Sequence, residues 1–255
     1  MNFLEKFDDL QVPEENIPEL LELAGQNPEF FEKVVTAEGN SSKYSVAKTK
    51  RKASDLVNRQ IAFLGSSVTY GAGSLGDSFV DYLVKEDGIF AFKEAVSGTT
   101  LAEINDGSYV TRLEKLPVLE KISAFVLQLS TNDARNEQIG IGKISDNDKY
   151  DITTVAGAIE YILDYVKKTW NCPVILFSNP KFDSERYEQM VEMAKQLQKK
   201  WHFTFLNLYD DSKFDYSEKD YKLYMIDPIH PTRAGYKLSW THTFEETLNK
   251  VIEDQ

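Results

Sequence analysis

The chain has 255 residues, of which 42% are hydrophobic and 27% are charged, and its formal net charge is −12 at pH 7. The length fits one α/β domain with an appendage better than two small domains, and the composition argues against global disorder. The acidic balance also argues against nucleic acid or an anionic membrane surface as a partner, because both attract clustered Lys and Arg.

Cys172 is the only cysteine, so the sequence predicts neither an intramolecular disulfide nor a cysteine-based zinc site. The opening residues, MNFLEKFDDL, carry acids where a secretory signal has basic residues followed by an apolar run. No apolar stretch approaches the ~20 residues that a membrane-spanning helix needs. We therefore expect a cytoplasmic protein without a membrane span.

The first part of the chain differs from the rest, and we predict an N-terminal helical extension and linker over 1–58, followed by one domain over 59–255. Residues 13–25 and 27–37 predict two short amphipathic helices, each with a turn signal at its start. Residues 39–55, GNSSKYSVAKTKRKASD, are polar and basic. This segment suits a nucleic-acid patch, but the acidic whole favours a solvated linker or exposed helix.

From residue 60 onward, short apolar runs alternate with segments of helical spacing. Such alternation predicts a parallel sheet with helices on both faces. Ligands of these sheets bind at the carboxyl ends of the strands, so the loops there are the place to expect chemistry. The predicted strands are QIAFLG, IFAFKEAV, SAFVLQLS, PVILFSN and FTFLNLY, and the predicted helices cover 77–86, 153–170, 184–201 and 232–252.

Four small polar blocks lie at the predicted strand ends or directly before the last helix. Taken singly, Ser and Thr in such places are usually helix caps, and Asn-Asp is usually a turn. Taken together, the blocks contain a complete set of groups for nucleophilic catalysis. They are residues 65–71 (GSSVTYG), 97–100 (SGTT), 130–133 (STND) and 227–231 (DPIHP).

A serine hydroxyl becomes a good nucleophile only when a base takes its proton, and histidine suits that task near neutral pH. His230 follows Asp227 by three residues, and a proline after each biases both into an extended or turn segment where the carboxylate can reach the imidazole. The oxyanion also needs donors. The backbone N–H groups of Ser67 and Gly98 and the side-chain amide of Asn132 can supply them.

These blocks resemble the SGNH hydrolase family, also called GDSL lipases and esterases, over about residues 60 to 245. The order and spacing of the blocks match, and the Asp-x-x-His block before the final helix is the most specific. The resemblance implies a three-layer α/β/α sandwich with a flavodoxin-like, mostly parallel sheet of about five strands. It also implies hydrolysis of acyl esters without metal or cofactor, on a substrate that the family alone does not identify.

Carried over residue by residue, the resemblance implies a catalytic triad and an oxyanion hole. The triad is Ser67, Asp227 and His230, and the oxyanion donors belong to Ser67, Gly98 and Asn132.

Two positions depart from the family pattern. The family's Gly-Asp-Ser is Gly-Ser-Ser here, with Ser66 in the Asp position, and its Gly-x-Asn-Asp begins with Ser130. Thr69 sets the register, because the family has Thr or Ser two residues after the nucleophile, and this selects Ser67 over Ser66. Neither departure removes a residue with a direct role, although the missing Asp bears on efficiency.

The sequence thus predicts a serine esterase or acylhydrolase that cleaves acyl or acetyl esters through an acyl-enzyme. Its expected partner is a small-molecule ester, such as an acetylated carbohydrate or a lipid-like ester. Association into a homo-oligomer is also compatible with the sequence. One alternative is a non-catalytic protein that binds acylated ligands.

Another alternative is a dinucleotide-binding protein that uses Gly71-Ala72-Gly73-Ser74-Leu75-Gly76, with Glu94 closing the next strand. This alternative is disfavoured because the fingerprint's first glycine should turn directly off the strand. In this chain Gly65 ends the strand.

Residues 134–150 form a long segment directly after the Asn block. Long loops in compact domains are often lids or binding loops. We predict that this segment and the N-terminal helices border the pocket and set acyl or alcohol specificity, with a surface excursion as the equal alternative. Arg135 is a candidate for binding a charged leaving group, although a solvated surface arginine is the simpler interpretation.

Overall fold

Five parallel strands form one sheet in the order β2-β1-β3-β4-β5. The computed structural model describes residues 3–118 and 120–253, without the side chains of residues 3–5. The strand order is that of flavodoxin-like folds, and each predicted apolar run contains one strand, so the expected α/β sheet is confirmed. The strands are β1 Gln60–Gly65, β2 Phe90–Ala95, β3 Ala124–Gln128, β4 Val174–Phe177 and β5 Thr204–Leu206.

Helices pack on both faces of this sheet, and none in the described residues is long and apolar enough to cross a membrane. The predicted helical segments are all present, and several short helices occur that the sequence did not predict. In chain order the α-helices are α1 Phe3–Leu10, α2 Ile17–Gln26, α3 Pro28–Thr36, α4 Ser67–Tyr70, α5 Phe79–Glu86, α6 Tyr109–Arg112, α7 Thr131–Arg135, α8 Val155–Thr169, α9 Glu185–Trp201, α10 Glu218–Tyr224, α11 Arg233–Gly235 and α12 Thr241–Glu253.

The last helical region departs from the single long helix expected over 232–252. It begins as α11, widens into a π-helical stretch at Tyr236–Trp240 and continues as α12. The backbone N–H of Thr241 donates to the carbonyl of Tyr236, and the Thr241 hydroxyl donates to the same oxygen at 2.9 Å. This five-residue hydrogen-bond spacing defines the widened turn.

Alternation along the central strands divides the core into two layers. In β1, Ala62 and Leu64 face a layer that includes α8 and α9, whereas Ile61 and Phe63 face a layer that includes α5 and α12. Successive side chains of a strand point to opposite faces, so a strand covered on both sides is apolar throughout. This double coverage explains why QIAFLG and AFVLQ are nearly continuous apolar runs.

A buried arginine links the carboxyl ends of β1 and β2. Arg112 Nη atoms donate to the carbonyl oxygens of Gly65 at 2.8 Å and Glu94 at 3.1 Å, and to the Thr99 hydroxyl at 2.9 Å. Its charge is paired with the Glu94 carboxylate at 3.2 Å. A buried guanidinium requires such partners because desolvation of an unpaired charge is costly. The pairing fixes the loop after β2 against the end of β1.

The N-terminal helices have a small core of their own that also takes in one residue of the sheet domain. That residue is Leu75, in the loop between α4 and α5, and its φ is +60°. The buried members are Phe7, Leu20, Phe31, Val34, Val35 and Leu75. Because Leu75 is buried in this cluster, the packing of the extension also holds the loop between α4 and α5.

Asn40 is a buried polar link between the extension and the loops of the sheet domain. Its Nδ2 donates to the carbonyls of Val34 and Gly73, both at 2.8 Å, and its Oδ1 accepts from the backbone N–H of Arg233 at 2.9 Å. Asn40 is fully buried, so these bonds have no competition from water. One side chain therefore holds three separate segments together.

We expect Asn40→Ala to lower the free energy of unfolding by about 2–4 kcal/mol, because it removes three buried bonds and leaves their backbone partners unsatisfied. Urea unfolding monitored by circular dichroism measures the change. Gln189→Ala, at an exposed position of α9, is the control and should change stability by no more than about 0.5 kcal/mol. A loss of similar size in both variants would contradict the role given to Asn40.

Candidate active site

Ser67 is the first residue of α4, immediately beyond the carboxyl end of β1. Its side-chain Oγ lies 2.9 Å from Nε2 of His230, a residue 163 positions away in sequence. The helix is one turn long because Gly71 follows it in the left-handed conformation, with φ of +99°, and donates its N–H to the Ser67 carbonyl. The short helix places the Ser67 hydroxyl at the edge of the sheet rather than inside it.

A single glutamine holds the turn that carries the serine. Oε1 of Gln128, the last residue of β3, accepts from the N–H groups of Ser66 at 3.0 Å and Thr69 at 3.1 Å and from the Thr69 hydroxyl at 2.7 Å. Its Nε2 donates to the Ser66 hydroxyl at 3.2 Å. The hydroxyl of Ser66 is thus bound to Gln128, whereas that of Ser67 is bound to His230.

Asp227 supports His230 from the other side of the ring. The His230 Nδ1 atom lies 3.0 Å and 2.9 Å from the two Asp227 carboxylate oxygens. Burial alone would raise the pKa of Asp227, but hydrogen bonds from the His230 ring and from the N–H groups of Ile229 and His230 lower this pKa to about 2. The carboxylate is therefore ionised across the neutral range and can orient and stabilise a protonated imidazole.

The three glycines in 71–76 have structural explanations in this site. Gly71 and Gly76 adopt positive φ values of 99° and 87°. A Cβ on Gly73 would lie 2.7 Å from the Pro231 carbonyl oxygen and 2.8 Å from the His230 Cβ, so only glycine lets the two loops approach this closely. The residues of the dinucleotide fingerprint are thus used for turns and for contact with the histidine loop, and Glu94 pairs with Arg112.

The Asn block forms α7 directly after β3. Ser130 is its N-cap and accepts from the backbone N–H of Asn132 at 3.1 Å, as serine commonly does at this position. The Asn132 amide donates one N–H to the Thr99 carbonyl at 2.8 Å, which joins the Asn block to the loop after β2. Ser130 therefore has a defined function where the family has glycine.

Asp133 fixes the far end of the same loop. Its carboxylate accepts from the N–H groups of Leu101 at 2.8 Å and Ala102 at 3.0 Å. Burial raises the pKa of Asp133, while these backbone bonds counteract part of the rise. Asn132 and Asp133 thus hold the loop after β2 at Thr99 and at Leu101. Gly98 lies in this loop and has a positive φ of 78°. The loops with Gly98, Ser67 and Asn132 leave the three adjacent strands β2, β1 and β3.

With this geometry in place, comparison with known proteins identifies the family. The family model of GDSL-like lipases and acylhydrolases matches residues 63–238. The chain belongs to the GDSL-like lipase/acylhydrolase family. Membership supports a hydrolase function and agrees with the resemblance found in the sequence blocks. No curated protein sequence matches the chain significantly.

Solved structures share the fold of this family member at low sequence identity. A Lactobacillus plantarum protein is 20% identical with a TM-score of 0.62, covering 78% of this chain and 98% of its own. A proposed GDSL-like lipase from Bacteroides ovatus is 17% identical with a TM-score of 0.57, covering 76% and 99%. A proposed lipolytic protein of the G-D-S-L family from Desulfitobacterium hafniense is 16% identical with a TM-score of 0.57, covering 74% and 99%.

The N-terminal extension, which the family model does not cover, reaches the candidate base. Phe30 in α3 packs against His230 with ring centroids 5.1 Å apart and an interplanar angle of 66°. Asn27 caps this helix by accepting from the Phe30 N–H at 3.2 Å, so the first turn that carries the ring is fixed. The expectation that the N-terminal helices border the site agrees with this contact, and their effect on specificity stays a prediction.

Sequence reasoning missed three supporting residues: Gln128, Arg112 and Phe30. A signal existed for the first, because a glutamine inside the apolar run AFVLQLS must find partners when the strand is buried. Arg112 gave no such signal, since an arginine in a short polar segment is usually exposed. Phe30 was recognised only as part of an amphipathic helix, and nothing local indicated its contact with a residue 200 positions away.

We expect the resonances of the His230 ring protons to shift in Phe30→Leu, because the ring current of Phe30 acts at close range. The kcat/KM for hydrolysis should fall about 2- to 12-fold, the range of one aromatic pair. Nuclear magnetic resonance of the imidazole protons and steady-state kinetics measure the two effects. Phe90→Leu, which alters an exposed phenylalanine of β2, is the control. Unchanged His230 resonances in Phe30→Leu would refute the contact.

The lowered pKa of Asp227 makes a prediction about acid stability. Its folded pKa, about 2, lies below the ordinary 3.8, so its ionisation stabilises the fold above pH 4 and that contribution is lost as pH falls toward 2. The stability difference between wild type and Asp227→Asn should therefore shrink by about 2 kcal/mol over this range. Urea unfolding at each pH measures it. When the Asp227→Asn comparison is made in a His230→Ala background, the stability difference should shrink less between pH 4 and pH 2. An equal decrease would show that His230 is not the main cause of the lowered pKa of Asp227.

Proposed function

We propose that this family member is a serine esterase or acylhydrolase in which Ser67, His230 and Asp227 form the catalytic triad. The observation that carries the proposal is the continuous hydrogen-bond chain from Ser67 Oγ through both ring nitrogens of His230 to the Asp227 carboxylate, with distances of 2.9 Å and 2.9 Å. A base that touches both the nucleophile and an orienting carboxylate is the arrangement that activates serine hydroxyls.

In the proposed acylation step, Ser67 Oγ attacks the ester carbonyl carbon while His230 Nε2 accepts the hydroxyl proton. The carbonyl oxygen becomes an oxyanion, which the N–H groups of Ser67 and Gly98 and the Asn132 amide stabilise. Asn132 uses one of its two amide hydrogens on Thr99, which leaves the second for the oxyanion. Collapse of the intermediate releases the alcohol, and His230 returns the proton to it.

In the proposed deacylation step, water takes the place of the alcohol. His230 accepts a proton from the water, the resulting hydroxide attacks the Ser67 ester, and His230 then protonates the departing Ser67 Oγ. Asp227 stays ionised throughout and stabilises each imidazolium. The substrate in this scheme is a small-molecule ester.

The binding-only alternative was motivated by Ser66 and Ser130, which stand where the family has Asp and Gly. Both have partners that keep the site in order: Ser66 is fixed by Gln128, and Ser130 caps the helix that presents Asn132. These contacts support turnover over mere binding, because the nucleophile and the donor loop are held without the family's residues.

We expect Ser67→Ala and His230→Ala each to lower kcat on p-nitrophenyl acetate by about 10⁴-fold or more, because each removes a member of one cooperative unit. A fluorophosphonate probe should label wild-type protein at Ser67 and leave Ser67→Ala unlabelled. Ser66→Ala is the matched control at the neighbouring serine, and its loss should stay below about tenfold because it removes one hydrogen bond. Substantial activity in folded Ser67→Ala would sink the proposal.

A further inference from the structure

A cavity of about 570 Å³ lies beside the proposed oxyanion donors. Gly98 and Asn132 line it, whereas Ser67 and His230 do not. Its lining also includes residues 135–138, near the start of the long segment for which the sequence predicted either a binding loop or a surface excursion. Its volume is within the range of small-molecule sites.

The stereochemistry of the proposed reaction decides which part of the substrate enters this cavity. The tetrahedral carbon carries the Ser67 Oγ, the oxyanion, the leaving oxygen and the acyl carbon. The leaving oxygen must face His230 Nε2 to receive its proton, and the oxyanion occupies the donors. Because the cavity begins at the donors and excludes His230, it receives the remaining substituent, the acyl group.

The lining of the cavity is poorly suited to an alkyl chain. Ile104 is the one alkyl side chain longer than a methyl group among its nine lining residues, and it is 45% exposed. Long acyl chains bind because their apolar surface is buried. A single half-exposed isoleucine therefore gives little gain in binding free energy as the chain lengthens. Hydrogen-bonding side chains make up most of the rest.

Two of these side chains present free donors. Asn105 uses its Oδ1 to accept from the Gly107 N–H at 2.9 Å, and Asn136 uses its Oδ1 to accept from the Gln138 N–H at 3.0 Å. Within residues 3–118 and 120–253, their Nδ2 atoms have no hydrogen-bond partner. Arg135, in the same lining, has no carboxylate partner within the same described ranges. The cavity thus offers donors that the protein itself does not use.

We propose, on the basis of the function proposed above, that the preferred acyl group is short and carries a hydrogen-bond acceptor that binds the Asn105 and Asn136 amides. An ether or carbonyl oxygen a few atoms from the ester carbonyl fits this chemistry, whereas the Glu137 carboxylate in the lining disfavours an anionic acyl group. A long saturated acyl chain does not.

The test compares two isosteric substrates, p-nitrophenyl 3-methoxypropanoate and p-nitrophenyl pentanoate, which differ by an ether oxygen in place of one methylene. Rates are divided by the hydroxide-catalysed rate of each ester. We expect kcat/KM to favour the methoxy ester by about fivefold for each hydrogen bond gained. Lengthening the acyl chain from pentanoate to decanoate should change kcat/KM less than about threefold. If the added methylenes were buried, each would raise kcat/KM about fourfold.

Asn105→Asp and Asn136→Asp keep the Oδ1 atom that each turn requires and replace the donor by a carboxylate oxygen. Each single variant should lower the preference for the methoxy ester about fivefold, and the double variant should bring it to near one. Asn147→Asp is the matched control, since its Oδ1 accepts from the Lys149 N–H at 2.9 Å in an exposed turn outside the cavity, and it should keep the wild-type preference. A purely structural role for Asn105 or Asn136 would lower both esters equally and leave the ratio intact, which would overturn the inference.

Other outcomes separate this inference from the function on which it rests. Ser67-dependent hydrolysis with no preference for the ether, or with rates that rise along the alkyl series, would overturn the acyl-group assignment and leave the esterase proposal standing. Absence of Ser67-dependent hydrolysis on every ester of the panel would overturn both.

Discussion

The hydrogen bond between Ser67 and His230 joins two loops whose residues are 163 positions apart in sequence, and buried polar side chains near the sheet edge hold each of those loops. A bond of 2.9 Å tolerates little drift, because hydrogen bonds weaken steeply with distance and angle. Connecting segments outside regular strands and long helices are mobile unless something fixes them. The question for this fold is therefore what keeps two loops in contact.

The answer differs for the two loops. The serine loop is fixed from below by Gln128, through four bonds to Ser66 and Thr69 made by a residue of the adjacent central strand. The histidine loop is fixed from the side by Asn40, which bonds Arg233 and Gly73 at once. Gly73 then completes the link, because its missing Cβ allows direct contact between the loops. Each support is a buried polar side chain with several bonds, an arrangement that specifies one geometry.

The sequence predicted those parts of the molecule whose signal is local. The five strands were visible because a strand buried on both faces is apolar throughout, and the four polar blocks were visible because they interrupt that pattern at the strand ends. Asp227 and His230 were paired from their spacing alone, and the structure brings them together with Ser67. Gln128, in contrast, acts across two strands, and its partners depend on the order β2-β1-β3, which no single segment encodes.

Other features depend on the tertiary structure still more strongly. Helices of four or five residues such as α4 and α7 have too few positions for a periodic pattern, so their polar ends were seen but their helical form was not. The widened turn at Tyr236–Trp240 requires one inserted residue in an otherwise regular helix, and amphipathic spacing does not report it. The contact between Phe30 and His230 follows from how the extension docks, which composition and periodicity leave open.

The docking of the extension gives the two sides of the site different characters. On the side of His230, Phe30 of α3 packs its aromatic ring against the imidazole. Phe31 and Val34 of the same helix are buried in one cluster with Leu75. On the side of the proposed oxyanion donors, the surface is formed by Asn105, Asn136 and Arg135. In the proposed reaction, the leaving group therefore faces an apolar environment and the acyl group a polar one. The family model covers residues 63–238, so Phe30 reaches His230 from outside the matched part of the chain, and the proposed leaving-group side depends on how the extension docks.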